Sequence, residues 1–317
     1  MDTLRTLQEA IVYFSDADRA FKYALNFRWA NGLVSCPRCG SEKHSFIKTR
    51  KLWFCYGCNK QFSLKVGTIF EDSPIRLDKW MLAMWMLANC RNGVSSYEMA
   101  RTIGVTQRSA WFMLHRIREV MKGVDTGKIG GSPKNPVEVD ETYISGKPVN
   151  MHAKERQRHQ NGGRQAIVMG MKTRTTREVR AMVIPNTKRE TLQNKILENV
   201  GWGAHLHTDQ HVGYQGVDAT NLFVHKTVNH MTEYVKGNVH TNGIENFWAL
   251  LKRTLKGTYV AVEPFHLNSY VSEQVFRFNN SGKKMTDGAR FEKVLSQVAG
   301  KRLTYESLTG KEGAKPF

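Results

Sequence analysis

At three places acidic residues stand where a folded chain would ordinarily place apolar ones. Val137-Glu138-Val139-Asp140-Glu141-Thr142-Tyr143 sets carboxylates inside a β-branched and aromatic run that reads as a strand. Asp209 closes the run Ala204 to Thr208, and Glu245 lies on a helical stretch from Asn242 whose apolar stripe is Ile244, Trp248, Leu251 and Leu255. A carboxylate in such surroundings is costly unless something answers its charge. One answer is a salt bridge, which a chain rich in Lys and Arg readily supplies. The other is two-metal phosphoryl transfer, in which carboxylates hold a pair of divalent cations about 4 Å apart around a reacting phosphate. Lys252, seven residues after Glu245, falls two turns along the same helix face, where it could hold a phosphate. Glu141 points to the strand face opposite Asp140 and reads as support.

A second constellation is Cys36-Pro-Arg-Cys39 followed, after fifteen residues, by Cys55-Tyr-Gly-Cys58. Two such knuckles on a short hairpin can close a tetrahedral site of four thiolates, so Cys36, Cys39, Cys55 and Cys58 are expected to hold one structural zinc ion. A redox dithiol would need a single pair at a helix start. Arg38, Lys43, His44, Lys48, Arg50, Lys51, Lys60 and Lys65 surround the knuckles, with Trp53 and Phe54 among them, and offer phosphate contacts and stacking faces.

A third pattern runs from Ser95. Ser95 or Ser96 caps a helix ending near Ile103, Gly104 makes the turn, and Thr106 caps a second helix buried along Ala110, Met113, Leu114 and Ile117. This is the spacing of a helix-turn-helix, whose second helix would present Thr106, Gln107, Arg108 and Ser109 to base edges of DNA.

These motifs need a frame, and 317 residues suffice for about two cores. Residues 1–32 read as an N-terminal helical segment with Leu4, Leu7, Ile11 and Phe14 on one face, 33–70 as the zinc ribbon and 71–122 as the helical DNA-binding segment. The glycine-rich stretch 123–136 reads as a linker, 137–300 as an α/β domain and 301–317 as a frayed tail. Within the α/β domain, strands are predicted at Val137 to Ile144, Ala166 to Met171, Val179 to Ile184 and Ala204 to His207. Helices are predicted at Arg189 to Val200 and Asn242 to Lys256, together a mixed sheet with helices on its faces. The basic run Lys147 to Arg164 reads as a DNA-clamping insertion or a surface loop. A net charge of +19 favours a polyanionic partner, nucleic acid first. The longest apolar run, Trp80 to Ala88, is half a membrane span, and the N-terminus lacks a signal-peptide layout, so no membrane partner is expected.

Taken together, the four cysteines, VEVDETY at Val137 to Tyr143, His207-Thr208-Asp209, HTNGIENFWALLK at His240 to Lys252 and the following Lys256 to Tyr259 resemble one family. They are similar to bacterial insertion-sequence transposases in which a zinc ribbon precedes a DDE integrase-type domain, the group related to Merlin elements. The resemblance implies an α/β, ribonuclease-H-like catalytic domain, two catalytic Mg or Mn ions, and a bacterial cytoplasmic setting on the nucleoid. It implies double-stranded DNA as partner, both transposon ends and target, engaged by a homodimer or higher homo-oligomer. Asp140 and Asp209 would be the first two metal ligands and Glu245 the third; Asn242, one helical turn earlier on the same face, is the alternative third ligand. The implied activity is binding of terminal inverted repeats, strand cleavage and strand transfer. A DNA-binding regulator derived from a transposase and a nuclease without joining activity share most of these features.

Overall fold

The computed structural model describes residues 4–123, 127–144, 165–219, 221–227, 240–282 and 285–310. The run Lys147 to Arg164 lies outside the described residues. The chain forms two compact units, one from residues 1–122 with 282–314 and one from residues 123–281 with the last three residues. Among the described residues no helix is long and apolar enough to cross a membrane.

The first unit begins with two helices where one face was expected. α1 (Leu7–Phe14) opens on a capping box between Thr6 and Glu9, and α2 (Ala17–Arg28) restarts on the Asp16 side chain. Because the break falls after Phe14, the chain buries Leu4, Ala10 and Phe14 and leaves Leu7 and Ile11 exposed. A three-stranded antiparallel ribbon follows, β1 (His44–Ile47), β2 (Leu52–Cys55) and β3 (Lys60–Ser63). Its centre is Trp53, which stacks on Phe21 of α2 and on Phe62 of β3 and meets Trp29 edge-on. Trp53 is therefore buried in the ribbon core and is not available to stack on bases, unlike the sequence expectation. Next come α3 (Leu77–Asn89), buried over Trp80, Met81 and residues 83–88, then α4 (Ser96–Ile103) and α5 (Gln107–Met121). Ser95 caps α4 by accepting from the Glu98 N–H, Gly104 closes it in the left-handed region, and Thr106 caps α5 by accepting from the Ser109 N–H.

The second unit opens with β4 (Ile129–Gly130), which pairs in parallel with β8 (Val200–Gly201) and buries Ile129. Residues 127–136 of the expected linker are thus part of the fold, since a buried isoleucine and a strand pair tie them down. Then come β5 (Val137–Ile144), β6 (Ala166–Thr173), β7 (Val179–Ile184), α6 (Arg189–Asn199), β9 (His205–Thr208), β10 (Val224–Thr227), α7 (Asn242–Thr254) and α8 (Pro264–Asn279). The five-stranded sheet runs β10-β9-β5-β6-β7. β5, β6 and β7 are successively antiparallel, while β9 is parallel to β5 and β10 to β9. This order, three antiparallel strands extended by two parallel ones beside the first, is the ribonuclease-H-like arrangement. Alternation divides the core. Val137, Val139, Met169, Met171 and Leu206 pack on one face with Leu192 and Ile196 of α6. Val168 and Val179 pack on the other with Ile244, Phe247, Trp248 and Leu251 of α7 and Leu267 and Val271 of α8.

The chain does not stay in the second unit to residue 300, and residues 301–310 of the expected tail are folded. α9 (Asp287–Leu295) returns to the first unit, where the Phe291 ring meets Phe14, Tyr23 and Trp85 at 5.6, 5.9 and 5.3 Å. Tyr23 donates to Glu292 at 2.8 Å. α10 (Tyr305–Leu308) buries Leu308 and lays Tyr305 against Phe112 of α5. The first unit's aromatic core is completed only by these C-terminal helices. Phe291→Ala should therefore lower the stability of the first unit by about 3–5 kcal/mol. In denaturant unfolding, the first unit's transition should move to lower concentration while that of the sheet unit stays in place.

Candidate active site and metal centre

The register of β5 against β9 decides where the acids fall. Val137 pairs with Leu206 and Glu138 with His207, so continuing the parallel register two residues brings Asp140 level with Asp209 at the C-terminal end of β9. Adjacent strands lie about 4.8 Å apart, and paired residues point to the same face. For Glu138, His207, Asp140 and Asp209 that is the face covered by α7. The Trp248 indole N–H donates to Asp140 Oδ2 at 2.9 Å. Burial, joined by the charges of Glu141 and Asp209 and opposed by the Trp248 hydrogen bond, pushes the Asp140 carboxyl up to about 7. Asp209 itself ends its strand in a turn, its Oδ1 accepting from the His211 N–H at 3.0 Å.

Glu245 and Asn242 are exposed on the first turns of α7. Glu245 accepts from the Thr241 hydroxyl at 3.2 Å. The structure brings Asp140 and Asp209 together, and α7 carries Glu245 over the same face, but the three carboxylates are not gathered into one shell. Among the described residues, the four cysteines are the one set of His, Cys, Asp and Glu side chains so gathered. Glu141 lies on the opposite face as expected, accepting from the buried Tyr214 hydroxyl, and burial raises its carboxyl as well. Lys252 is two turns along α7 from Glu245 and half-buried.

Two residues that the sequence reading gave no role organise this region. Glu138 is 1 % exposed, yet it accepts from the Ile244 N–H at 2.9 Å and from Arg174 Nε at 2.9 Å, with His240 Nδ1 at 3.5 Å. It shares the Ile244 N–H with the Thr241 carbonyl, which that N–H meets at 3.1 Å, and faces the positive end of α7, and so fixes where that helix starts. The signal was in the strand: two residues before Asp140, Glu138 must share its face. Lys172 joins the cluster, and burial lowers its pKa. His207, buried beside it in register, is driven down to about 4 by burial and by neighbouring positive charge, first that of Arg174. Trp248 is the second such residue, assigned to the apolar stripe by spacing alone.

The cysteines come together on the ribbon. Sγ of Cys36 lies 3.8 Å from that of Cys58, Sγ of Cys39 lies 3.5 Å from that of Cys55, and all four are within 4.8 Å of one another. Four thiolates about 2.3 Å from a zinc ion form a tetrahedron with edges of roughly 3.8 Å, so the donor set and its size fit zinc.

The four residues expected to read bases stand at the start of α5, with their polar groups engaged inside the first unit. Thr106 and Ser109 serve the cap, and Gln107 donates to the Ser96 hydroxyl at 2.8 Å. Arg108 donates to the Tyr305 hydroxyl at 2.6 Å and lies over its ring at 4.8 Å. The sequence pattern gave the helices; it could not reveal that a tyrosine almost two hundred residues on would cover the arginine.

A ribonuclease-H-like sheet carrying level acids on its central parallel pair, in a chain with a four-cysteine ribbon, has the build of a DDE-type DNA-transposition enzyme. Residues 132–279 match the ISXO2-like transposase domain, and residues 15–61 match the transposase zinc-ribbon domain. A Haemophilus influenzae protein described as an uncharacterized transposase-like protein is 34% identical over 104 residues, covering 33% of this chain and 83% of the relative. A Halobacterium salinarum protein described as an uncharacterized protein in transposable element ISH50 is 25% identical over 255 residues, covering 76% of this chain and 84% of the relative. The chain belongs to the family of ISXO2-like insertion-sequence transposases. Among solved structures, the catalytic core domain of BIV integrase overlaps 44% of this chain and 79% of its own at 14% identity and a TM-score of 0.30. The strand order, not this overlap, carries the fold assignment.

The close approach of α7 to Glu138 depends on Gly243. A Cβ there would lie 2.6 Å from Glu138 Oε2 and closer still to the Lys172 ammonium. Gly243→Ala should accordingly cost about 1–3 kcal/mol by forcing the helix start off the carboxylate. The loss would register as a lower thermal midpoint of the sheet unit, with the ribbon unit unaffected.

Proposed function

We propose that this transposase binds the terminal inverted repeats of its insertion sequence and carries out metal-dependent strand cleavage and strand transfer. The observation that carries the reading is the placing of Asp140 and Asp209 level on neighbouring parallel strands, on the face that α7 covers with Glu245. Asp140, Asp209 and Glu245 are oxygen donors suited to Mg or Mn, with Asn242 the alternative third ligand one turn earlier. Two such ions, when bound, activate the attacking water or 3′-hydroxyl and stabilise the leaving oxygen. The protein's own part is to hold the carboxylates in place, keep bulk water from the Asp140 face with the α7 indole, and offer Lys252 to a DNA phosphate.

On the same reading the four cysteines hold one structural zinc ion, with no position open for chemistry. The ribbon and the α4–α5 pair supply recognition of double-stranded DNA, with Thr106, Gln107, Arg108 and Ser109 at the helix end that would enter the major groove. Arg108 reaches a base only by leaving Tyr305. Synapsis of two transposon ends calls for a homodimer or higher homo-oligomer, and the target duplex is the second DNA partner.

The direct test is an assay with inverted-repeat DNA and Mg or Mn, scored for nicked and joined strands. Asp140→Asn should abolish cleavage while end binding survives; cleavage at the wild-type rate by that variant would remove the assigned site. Nicking by the wild type without joined products would reduce the activity to that of a nuclease. Stripping zinc with a chelator, or Cys36→Ser, should in turn unfold the ribbon and weaken end binding, measured by mobility shift, with the sheet unit's circular dichroism retained.

A further inference from the structure

Trp248 does something that an apolar stripe residue does not require. Its side chain is 5 % exposed, and its indole N–H donates to Asp140 Oδ2 at 2.9 Å. The six-membered edge of the same ring lies over Gly170, the residue that pairs with Asp140 across β5 and β6. A Cβ at Gly170 would stand 2.5 Å from Trp248 Cη2 and 2.7 Å from Cζ2. The missing side chain on β6 is thus the space the indole occupies. Trp248 also sits three residues after Glu245 on α7, on the same side of the helix. One residue therefore fixes the rotamer of a carboxylate on the sheet and the height above it of the helix that carries another.

We propose that Trp248, seated on Gly170, is a positioning residue for the metal-binding carboxylates: its N–H holds Oδ2 of Asp140, and its ring sets the spacing between Asp140 and Glu245. The proposal rests on the active-site reading above. Phenylalanine at 248 would keep much of the apolar packing and lose the donor. Benzothienylalanine, which replaces the indole N–H with sulfur in a ring of nearly the same shape, removes the donor alone. Partners that orient metal ligands through hydrogen bonds typically contribute about 10- to 100-fold in metal affinity or activity.

The experiment measures Mn affinity by calorimetry and cleavage kinetics on inverted-repeat DNA for the full chain. The variants are Asp140→Asn, Trp248→Phe, benzothienylalanine at 248, Gly170→Ala, and Gly170→Ala combined with Trp248→Phe. Loss of the N–H should weaken Mn binding by about tenfold or more and lower kcat comparably, with KM for the DNA unchanged. Gly170→Ala should do the same by lifting the indole. In the Trp248→Phe background its further effect on Mn affinity should be small, because the ring edge it meets is gone and what remains is the Ile244 methyl 2.9 Å away, which touches no carboxylate. A residue that only packs would lower the thermal midpoint and leave Mn affinity of the folded protein alone, and that result in the benzothienylalanine variant overturns the proposal. If Asp140→Asn still cleaves, the active-site reading itself has failed. If Asp140→Asn is dead while the benzothienylalanine variant binds Mn and turns over as wild type, only the positioning role has.

Discussion

The arrangement of the sheet unit depends on how it answers a buried charge. Glu138 sits at 1 % exposure in the middle of a sheet, and an ion stripped of water that far costs several kcal/mol unless it is paired and fully hydrogen-bonded. The chain meets that requirement with Arg174 from the turn after β6 and the N–H of Ile244 from α7, the His240 ring lying 3.5 Å away. Compensation therefore arrives from two separated stretches, the turn after β6 and the first turn of α7, and bringing them together fixes the start of α7. Once that start is fixed, the helix has no freedom over where it carries Glu245, Trp248 and Lys252. The charge two residues before Asp140 thus organises the site without belonging to its chemistry.

Small residues make the arrangement possible. Gly243 lets the helix end reach the Glu138 carboxylate, and Gly170 lets an indole lie flat where a strand would otherwise project a methyl group. Both are absences of side chain at points of closest approach, and both lie where α7 meets the sheet. The opposite face uses glycine in the same way at its margins, Gly213 against Leu192 and Gly130 against Val137, while Ile196, Val139 and Met171 fill its middle by size. On the α7 face the close fits bring a helix and an indole onto carboxylates, whereas on the other face they bring loops onto apolar side chains.

What was legible in the sequence was what is local. Alternation gave Val137 to Ile144 as a strand, the cap residues Ser95 and Thr106 gave α4 and α5, and paired knuckles gave the cysteine site. β10 escaped because Val224 to Thr227 is a short edge strand, largely exposed and without an apolar run. Trp53 could be seen among basic residues, but not that Phe21, Trp29 and Phe62 would enclose it. Arg108 and Trp248 are similar cases. Spacing placed each on the correct helix, while the destinations of their N–H groups, Tyr305 and Asp140, are facts of tertiary structure that no periodicity encodes. The membership of α9 was hidden for the same reason, since its partners lie at the other end of the chain.

That last feature has a consequence for how the protein is made. Because the chain leaves the zinc-ribbon unit at Lys122 and re-enters it at Gly282, the sheet unit is an insertion in its sequence. A ribosome delivers every residue of β5, β9 and α7 before it delivers Phe291, so the sheet unit can fold while the ribbon unit still lacks its last aromatic ring. A nonsense codon or frameshift just beyond Ser281 would leave the sheet and its helices, residues 123–281, and take from Phe14, Tyr23 and Trp85 the ring they share. Lesions at the 3′ end of the gene should then present as damage to its 5′ half.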